Sequence, residues 1–216
     1  MVNLEDLGFA KGIIFETIVS TYSSQGSPNI AAMGVLQLDS ENIMIRIYKS
    51  SKTYNNLVSR RCAIINLSSD AALFYKSAIK DSYVRDEISL DLFKKGDLVD
   101  APELKRADAT IEVILSDIKD LDSERAEVYL KTKLIKIRNY FPRVYTRAFS
   151  AIIESVILAT RIRLLSVGNE SQKKKASKMK EKIKEFEEIV KRTAPNSEYD
   201  NIMFDLINKI ETWLGN

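Results

Sequence analysis

The chain contains no histidine, and this absence narrows its chemistry more than any other feature of its composition. Without histidine there is no Ser-His-Asp or Cys-His catalytic group and no histidine metal site. Proton transfer near neutral pH must then come from a tuned carboxylate, a lysine, water or a bound cofactor. Any acid–base chemistry of the protein is expected from one of these four sources.

Cysteine is almost absent as well. The single cysteine, Cys62, excludes an internal disulfide and any cysteine-based zinc or iron–sulfur site, and we predict no metal centre. Two arginines precede Cys62 and could lower the pKa of its thiol. Because Cys62 also begins an apolar segment, we interpret it as a small buried strand residue.

Strong charge and long apolar runs are also missing. The 216 residues carry a formal net charge of +3, too mild to indicate a nucleic-acid partner. No apolar run reaches the roughly 18 residues that would indicate a membrane span. The amino terminus, MVNLEDLGFAKG, has acidic residues where a secretory signal would be basic. We therefore expect a cytoplasmic protein with one large domain, or one domain and an appendage.

Alternating apolar and polar residues predict six β-strands in the first two thirds of the chain. The predicted strands are Ile13–Ser20, Ile30–Leu38, Ile43–Tyr48, Cys62–Leu67, Asp108–Ile118 and Ala126–Ile137. A short helix capped by Ser50 or Ser51 follows the third strand, and another, capped by Asp70, follows the fourth. Three consecutive antiparallel strands and a return strand after a crossover predict a barrel of about six strands, not a parallel sheet.

The last third of the chain has helical patterns instead. The predicted helices are Val144–Leu165, about Glu170–Arg192, and a last helix capped by Ser197. Gly168 and Asn169 end the first of them as helix carboxyl termini commonly end. The fold class is therefore mainly β with α, with a β-barrel over residues 1–141 and a helical carboxy-terminal region over residues 142–216.

Hydroxyls and lysines are concentrated after the third predicted strand. Lys49, Ser50, Ser51, Lys52 and Thr53 lead directly into the short helix. Free backbone N–H groups at a helix start, beside hydroxyls and a lysine, suit a phosphate group. This segment suggests a phosphorylated ligand at the edge of the sheet, although an ordinary capped helix on a basic loop would show the same pattern.

The hairpin segment Gly26–Gly34 is a second candidate site. Ala31, Ala32 and Gly34 have small side chains, so a flat ring could approach the backbone closely. The exposed main chain could then hydrogen-bond the edge of a heteroaromatic ligand. A strand narrowed for packing is the alternative interpretation.

The chain resembles the FMN-binding split β-barrel proteins in its segments SPNIAAMGV, KSSKTYNNL and CAIINL, in that order. This family includes flavin reductases and pyridoxamine-phosphate-oxidase-like proteins. The best match is to its archaeal flavin-nucleotide-binding members, which also carry a helical carboxy-terminal region. The resemblance covers roughly residues 10–165 and implies a split β-barrel that binds FMN at a homodimer interface.

The resemblance also implies a set of flavin-binding residues. The phosphate would lie near Lys49, Ser51, Lys52 and Thr53, braced by Asn55 or Asn56. The isoalloxazine ring would lie along Asn29, Ala31, Ala32 and Met33, with Asn66 near the ring or the ribityl chain. The catalytic residues are unknown, and the chain shows no nicotinamide-binding signature.

Two functions follow from the resemblance. One is FMN binding with flavin-dependent oxidoreductase activity as an extension of it, because a flavin itself accepts hydride or electrons. The alternative is a non-catalytic flavin-binding or scaffold module that recruits a protein partner through its helical tail. We expect a small-molecule flavin ligand and neither a nucleic-acid nor a membrane partner in both cases.

A polar stripe marks the first predicted carboxy-terminal helix. Arg143, Arg147, Ser150, Glu154 and Arg161 fall at helical spacing on one side of an otherwise apolar segment. As a functional feature, the stripe would border the flavin pocket, where Arg147, Glu154 and Arg161 would hold an anionic substrate. As a structural feature, it would be a solvent face or a dimer salt-bridge network.

Overall fold

The computed structural model of the chain describes residues 2–11, 14–79, 89–138 and 147–215. These residues belong to two units. The barrel unit contains residues 2–68 and 89–138, and the helical unit contains residues 69–79 and 147–215. The predicted domain boundary between residues 141 and 142 lies outside the described residues and stays a prediction.

The barrel unit is built on eight strands. They are β1 (Ile14–Tyr22), β2 (Pro28–Gln37), β3 (Asn42–Tyr48), β4 (Cys62–Leu67), β5 (Phe93–Lys95), β6 (Pro102–Leu104), β7 (Ala109–Asp120) and β8 (Arg125–Ile137). Six of them close into an antiparallel barrel in the order β1-β2-β3-β8-β7-β4, while β5 and β6 form a separate pair. The prediction of an antiparallel barrel of six strands is confirmed, and only Ile13 of the predicted strands lies outside the described residues.

The barrel interior is apolar because successive side chains of a strand point to opposite faces of the sheet. Val19, Val35, Ile45, Ile65 and Val128 come from five different strands, and all are fully buried in one cluster. Burying each of these side chains contributes about 1.5–3 kcal/mol, so the cluster holds the barrel closed.

Strands β2 and β3 pair over only part of their length. Strand β1 pairs with β2 along its whole length from Ile14 to Tyr22, whereas β3 reaches β2 only from Val35 to Gln37. Residues 28–34 of β2 therefore have a strand neighbour on one side only, among the residues that the structure describes.

Helix α1 (Lys52–Arg60) connects β3 to β4. The Ser51 hydroxyl accepts a hydrogen bond from the Tyr54 backbone N–H at 3.2 Å, so Ser51 is the N-cap. The predicted helix after the third strand, capped by Ser50 or Ser51, is thus confirmed with Ser51 in that position.

The helical unit contains four helices among its described residues. They are α2 (Ala71–Ala78), α3 (Arg147–Ser166), α4 (Glu170–Thr193) and α5 (Glu198–Leu214). Asp70 caps α2, as predicted, by accepting bonds from the N–H groups of Ala72 and Leu73. No helix in the described ranges has both the length and the apolar character needed to span a membrane.

The turn between α3 and α4 corrects one detail of the sequence interpretation. Asn169 begins α4 instead of ending α3, because its side chain accepts the Gln172 N–H at 3.0 Å. The Gln172 side chain in turn accepts the Asn169 N–H at 2.8 Å, which completes a capping box. A Cβ at Gly168 would lie 2.2 Å from the Gln172 side-chain oxygen, so glycine leaves room for this box.

Candidate functional site

A cavity of about 400 Å³ lies in the barrel unit between the β1–β2 turn (residues 23–27) and helix α1. We call it the ligand cavity. It is lined by Ser23, Ser24, Gln25, Ser27, Pro28, Asn29, Lys52, Asn55, Asn56 and Ser59. The hairpin segment and the segment after β3 were separate candidates in the sequence, and the fold brings residues 27–29 of the first and Lys52 of the second to one cavity. The other predicted residues of these two segments are not among the lining residues: Ala31, Ala32, Met33, Lys49, Ser51 and Thr53.

Four buried polar side chains lie beside the ligand cavity, and we call them the polar quartet: Thr21, Asn29, Thr53 and Asn56. The Asn29 amide nitrogen donates to Thr53 Oγ1 at 3.0 Å, and the Asn56 amide nitrogen donates to Thr21 Oγ1 at 2.9 Å. A longer contact of 3.4 Å joins Asn29 to Thr21. Buried polar groups need such partners, so the quartet fixes β2 against α1.

Sequence reasoning missed Thr21 as a member of this site. Thr21 lies directly opposite Asn29 in the β1–β2 ladder. Its position could have been found by counting back from the hairpin turn, because an antiparallel register fixes which residues face each other across the turn.

The first turn of α1 presents free hydrogen-bond donors near the cavity. The Ser51 N–H bonds the Tyr48 carbonyl, and the Asn55 N–H bonds the Ser51 carbonyl. The backbone N–H groups of Lys52 and Thr53, in contrast, have no partner in the described residues, as expected for a helix start. This end of the helix carries partial positive charge, which favours an anion.

Lys52 adds a full positive charge to the ligand cavity. Its side chain is exposed, and it makes no ion pair with any described residue. Asn55, also exposed, lines the same cavity one helical turn from Ser51. The cavity therefore combines a lysine, an amide and a helix start, as a phosphate group requires.

Lys49 lies away from this arrangement. Its ammonium group pairs with the Asp120 carboxylate at 2.8 Å and donates to the Asp122 carbonyl at 3.0 Å. Both partners belong to the hairpin that joins β7 to β8, and Lys49 does not line the ligand cavity. The structure thus gives Lys49 a role in holding the end of β3 to the β7–β8 hairpin.

Asn66 is likewise committed within the barrel. It is fully buried, and its amide nitrogen donates to the Ile18 carbonyl and to Ser20 Oγ, each at 2.9 Å. Its side-chain oxygen accepts the Leu104 N–H at 3.0 Å. Both amide hydrogens of Asn66 therefore already have partners on β1. Its side chain links β4, on which it lies, to β1 and β6.

The middle of β2 offers an open backbone edge. Ala31, Ala32 and Met33 are half-buried there. The Ser23 N–H bonds the Ser27 carbonyl at the β1–β2 turn, and the Leu38 N–H bonds the Asn42 carbonyl at the β2–β3 turn. These two bonds determine which residues of β2 bond β1 and which face the opposite side. Since bonding direction alternates along an antiparallel strand, residues 30, 32 and 34 point their N–H and C=O groups towards the open edge.

The predicted polar stripe lies on α3 in the helical unit. Arg147, Ser150, Glu154 and Arg161 are all exposed, whereas Arg143 lies outside the described residues. Within the described part of the chain, no ion pair joins Glu154 to either arginine. These side chains form a solvent-facing side of α3, and their role in holding a substrate stays a prediction.

An acidic cluster in the barrel unit is organised around a lysine. Oxygen atoms of Asp97, Glu103 and Glu112 lie within 4.8 Å of one another. The Lys136 ammonium group contacts all three, at 2.9, 2.5 and 2.9 Å respectively. The position between the carboxylates is therefore taken by an ammonium group, and the cluster is a salt-bridge network.

Burial and hydrogen bonding act in opposite directions on Glu112. Its burial would raise the pKa of the carboxyl, but the Asp97 N–H, the Lys136 ammonium and the Leu98 N–H together hold that pKa below its usual value. Glu112 is therefore an ionised, structural carboxylate at neutral pH, and it ties the loop after β5 to β7.

Cys62 is buried at the start of β4, as the sequence suggested. Burial raises the pKa of its thiol, and the thiol donates to the Asp100 carbonyl at 3.4 Å. These surroundings favour an unreactive thiol over a thiolate nucleophile.

A second cavity, of about 450 Å³, lies in the helical unit near the carboxyl ends of α3 and α5. Lys180, one of its lining residues, is paired with Glu211 at 2.6 Å. Helix carboxyl ends carry partial negative charge, so this cavity is a poorer anion site than the ligand cavity.

Two family models match the chain. One, described as the amino-terminal domain of a protein of unknown function (DUF447), matches residues 15–139, and a second DUF447 model matches residues 146–209. The chain belongs to the DUF447 family.

An FMN-bound DUF447 protein from Methanosarcina mazei is similar along nearly the whole chain. The match covers 96% of this DUF447 chain and 99% of the other, with 23% identity and a TM-score of 0.74. A split-barrel protein from Shewanella frigidimarina, assigned as a flavin reductase, matches 64% of this chain and 76% of its own with 15% identity and a TM-score of 0.52.

Flavoredoxin of Desulfovibrio vulgaris is similar over the same part of the chain. It matches 62% of this DUF447 chain and 76% of its own, with 21% identity and a TM-score of 0.50. At these identities the similarities establish the fold, and the predicted split β-barrel with a helical carboxy-terminal region is confirmed.

Proposed function

We propose that this DUF447 protein binds FMN, with the flavin phosphate in the ligand cavity. The observation that carries the proposal is the start of α1, where the Lys52 and Thr53 N–H groups and the Lys52 ammonium group have no partner among the described residues. The likeness to an FMN-bound member of the same family over nearly the whole chain supports it.

The groups around the cavity have the charge and the hydrogen-bond donors that a phosphate dianion binds. Lys52 supplies positive charge, and the Lys52 and Thr53 N–H groups supply two donors. The Thr53 hydroxyl accepts from Asn29, so its own hydrogen is left to donate to a phosphate oxygen. A cation and hydrogen-bond donors at the same helix start match an acceptor that carries only oxygens.

The open edge of β2 suits the ring of the flavin. An isoalloxazine presents an N–H between two carbonyl oxygens along its pyrimidine edge. The β2 edge offers alternating N–H and C=O groups at residues 30, 32 and 34, beside the small side chains of Ala31 and Ala32. The ring would thus lie along Ala31, Ala32 and Met33, as the family resemblance implies.

The proposed contact set is smaller than the one implied by the resemblance. It contains Asn29, Ala31, Ala32, Met33, Ser51, Lys52, Thr53, Asn55 and Asn56. We leave out Lys49, whose ammonium group is paired with Asp120, and Asn66, whose amide is fully used inside the barrel.

Oxidoreductase activity is the extension of this proposal. A bound flavin supplies hydride or electron transfer, and a chain without histidine supplies binding and orientation. The homodimer and the cytoplasmic location stay predictions, as does the alternative of a non-catalytic module that recruits a partner through its helices.

Flavin titration of the ligand-free protein tests the phosphate site. We expect FMN to bind more tightly than riboflavin, which has the same ring and no phosphate. Lys52→Ala should weaken FMN binding by at least about tenfold, because a charge-assisted hydrogen bond contributes about 1.5–3 kcal/mol, and should leave riboflavin binding unchanged.

Lys49→Ala is the matched control, since it removes the same charge only three residues away. It should leave both affinities within about twofold of the wild type. Equal affinities of the wild type for FMN and riboflavin, or equal losses in the two lysine variants, would reject the phosphate site.

A separate measurement addresses catalysis. The FMN-loaded protein is mixed with NADH or NADPH without oxygen, and the flavin absorbance is followed. Bleaching that is faster than that of free FMN supports an oxidoreductase. A spectrum that stays unchanged with both nucleotides, in a sample that dithionite still bleaches, favours the non-catalytic alternative.

A further inference from the structure

Arg60, in the last turn of α1, bonds the backbone of the β1–β2 turn. Its Nε donates to the Ser23 carbonyl at 3.0 Å, and its Nη2 donates to the Ser24 carbonyl at 2.9 Å. Its remaining terminal nitrogen pairs with the Asp100 carboxylate at 3.2 Å. One guanidinium group therefore joins three segments of the barrel unit.

The β1–β2 turn forms one wall of the ligand cavity and is itself exposed. Ser23, Ser24, Gln25 and Ser27 all line the cavity. Inside the turn, the Ser23 N–H bonds the Ser27 carbonyl at 2.8 Å, and the Gly26 N–H bonds the Ser23 carbonyl at 3.0 Å. The Ser23 carbonyl thus accepts bonds from both the turn and Arg60.

The guanidinium group of Arg60 already has a carboxylate partner. Asp100 pairs with Arg60 and also with Lys95, at 3.3 Å. Arg60 is not among the residues that line the cavity. Its guanidinium group is therefore placed to act on the turn carbonyls, not on a ligand.

We propose that Arg60 is a positioning residue, which holds the β1–β2 turn against α1 and so keeps the ligand cavity formed before the flavin phosphate enters. The inference rests on the proposed phosphate site. A wall that is already ordered lowers the entropy cost of binding, because the turn need not be fixed when the ligand arrives. The planar, forked guanidinium group can bond two carbonyls and a carboxylate together, which a single ammonium group cannot do with the same geometry.

Hydrogen exchange of the ligand-free protein tests the clamp directly. Arg60→Ala and Arg60→Lys should both speed exchange of the amides in residues 23–27 by about tenfold or more. Arg46→Ala is the control: the exposed side chain of Arg46 on β3 pairs with Glu127 at 3.0 Å, and its loss removes the same charge. Exchange in residues 23–27 should be unchanged in this control.

Flavin titration then tests the consequence for the ligand. Arg60→Lys, which keeps the charge, should weaken FMN binding by about tenfold and change riboflavin binding by less than about twofold, since only FMN uses the cavity. A merely structural arginine would lower both affinities equally. The inference would be overturned if the amides of residues 23–27 exchanged in Arg60→Lys at the wild-type rate. It would also be overturned if they exchanged faster while the affinity for FMN stayed unchanged.

The two proposals fail in different ways. If the wild type binds riboflavin as tightly as FMN, the phosphate site is wrong, and the ligand role of Arg60 is wrong with it. The exchange measurement needs no flavin, so it still decides whether Arg60 holds the turn. Wild-type preference for FMN with an unaffected Arg60→Lys protein rejects only the inference about Arg60.

Discussion

Thr21 holds two amide side chains beside the ligand cavity through a single hydroxyl oxygen. Replacing it with valine keeps the shape and removes the acceptor, so the Asn56 amide loses its partner in a buried place. An unsatisfied buried donor costs about 1–3 kcal/mol. We therefore expect Thr21→Val to lower the free energy of unfolding by that amount and to weaken FMN binding.

Thr17→Val is the control for this prediction. Thr17 is buried on the same strand, and its hydroxyl donates to the Met33 carbonyl at 3.0 Å. That carbonyl also lies in the β1–β2 ladder, so it keeps a backbone partner. Urea unfolding should show a smaller loss for Thr17→Val, and a loss as large as that of Thr21→Val would contradict the role of the polar quartet.

Glu112 gives the barrel unit a defined dependence on pH. Its folded-state pKa is lowered, because the hydrogen bonds from the Asp97 N–H, Lys136 and the Leu98 N–H outweigh the effect of burial. A lowered pKa stabilises the fold above the unfolded pKa of about 4.3, and this contribution is lost as pH falls through the folded pKa. The ionised Glu112 therefore supports the fold at neutral pH and not in strong acid.

Glu112→Gln should accordingly destabilise the protein by about 1.5–3 kcal/mol near pH 7, because it removes the negative charge that accepts hydrogen bonds from Lys136 and from the loop N–H groups. The difference from the wild type should begin to shrink as pH falls below the unfolded pKa of about 4.3, and should disappear only below the lowered folded pKa, where the wild-type carboxylate is neutral as well. Urea unfolding at several pH values measures this. A difference that stays constant with pH would show that charge on Glu112 is not the cause.

The start of α1 combines two tasks, helix capping and the proposed phosphate site. Ser51→Ala removes the bond to the Tyr54 N–H and should cost about 1 kcal/mol of stability. Asn169→Ala removes the corresponding cap of α4 at a similar cost. We expect only Ser51→Ala to weaken FMN binding, by about threefold or more, because the helix start then holds its N–H groups less firmly. If both variants changed the affinity for FMN equally, the Ser51 cap would have no specific role in the ligand site.

Periodicity was enough to predict the longer elements. Strand β4 begins and ends at the predicted residues, and the caps Ser51 and Asp70 were readable because their side chains bond the next few backbone N–H groups. Strands β5 and β6 were not predicted as strands, since three residues each are too few to show alternation.

The ligand cavity could be predicted only in part from the sequence, for a related reason. The resemblance named Asn29, Lys52, Asn55 and Asn56, which do line the ligand cavity. It could not show that Lys49 pairs with Asp120, because that hairpin is distant in sequence and approaches only in the fold. Local patterns therefore find helix starts and strands, whereas the partner of a long polar side chain depends on the closed barrel.

The chain as a whole is predicted to act as a homodimer with the flavin at the interface. Ile14, Tyr48 and Val58 of the barrel unit are 56%, 49% and 47% exposed, and apolar area of this kind is available for such an interface. If both subunits contact the flavin, binding and dimerisation are linked, and each must strengthen the other by the same factor. FMN should then lower the dimer dissociation constant.

Sedimentation at several protein concentrations, with and without FMN, measures this linkage. The apparent affinity for FMN should fall on dilution through the range in which the dimer dissociates. Lys52→Ala is the informative variant. Without FMN its dimer dissociation constant should equal that of the wild type, and FMN should lower that constant less than it does in the wild type. A monomer that binds FMN with an affinity independent of protein concentration would place the whole flavin site within one chain, since no linkage could then exist between ligand and partner.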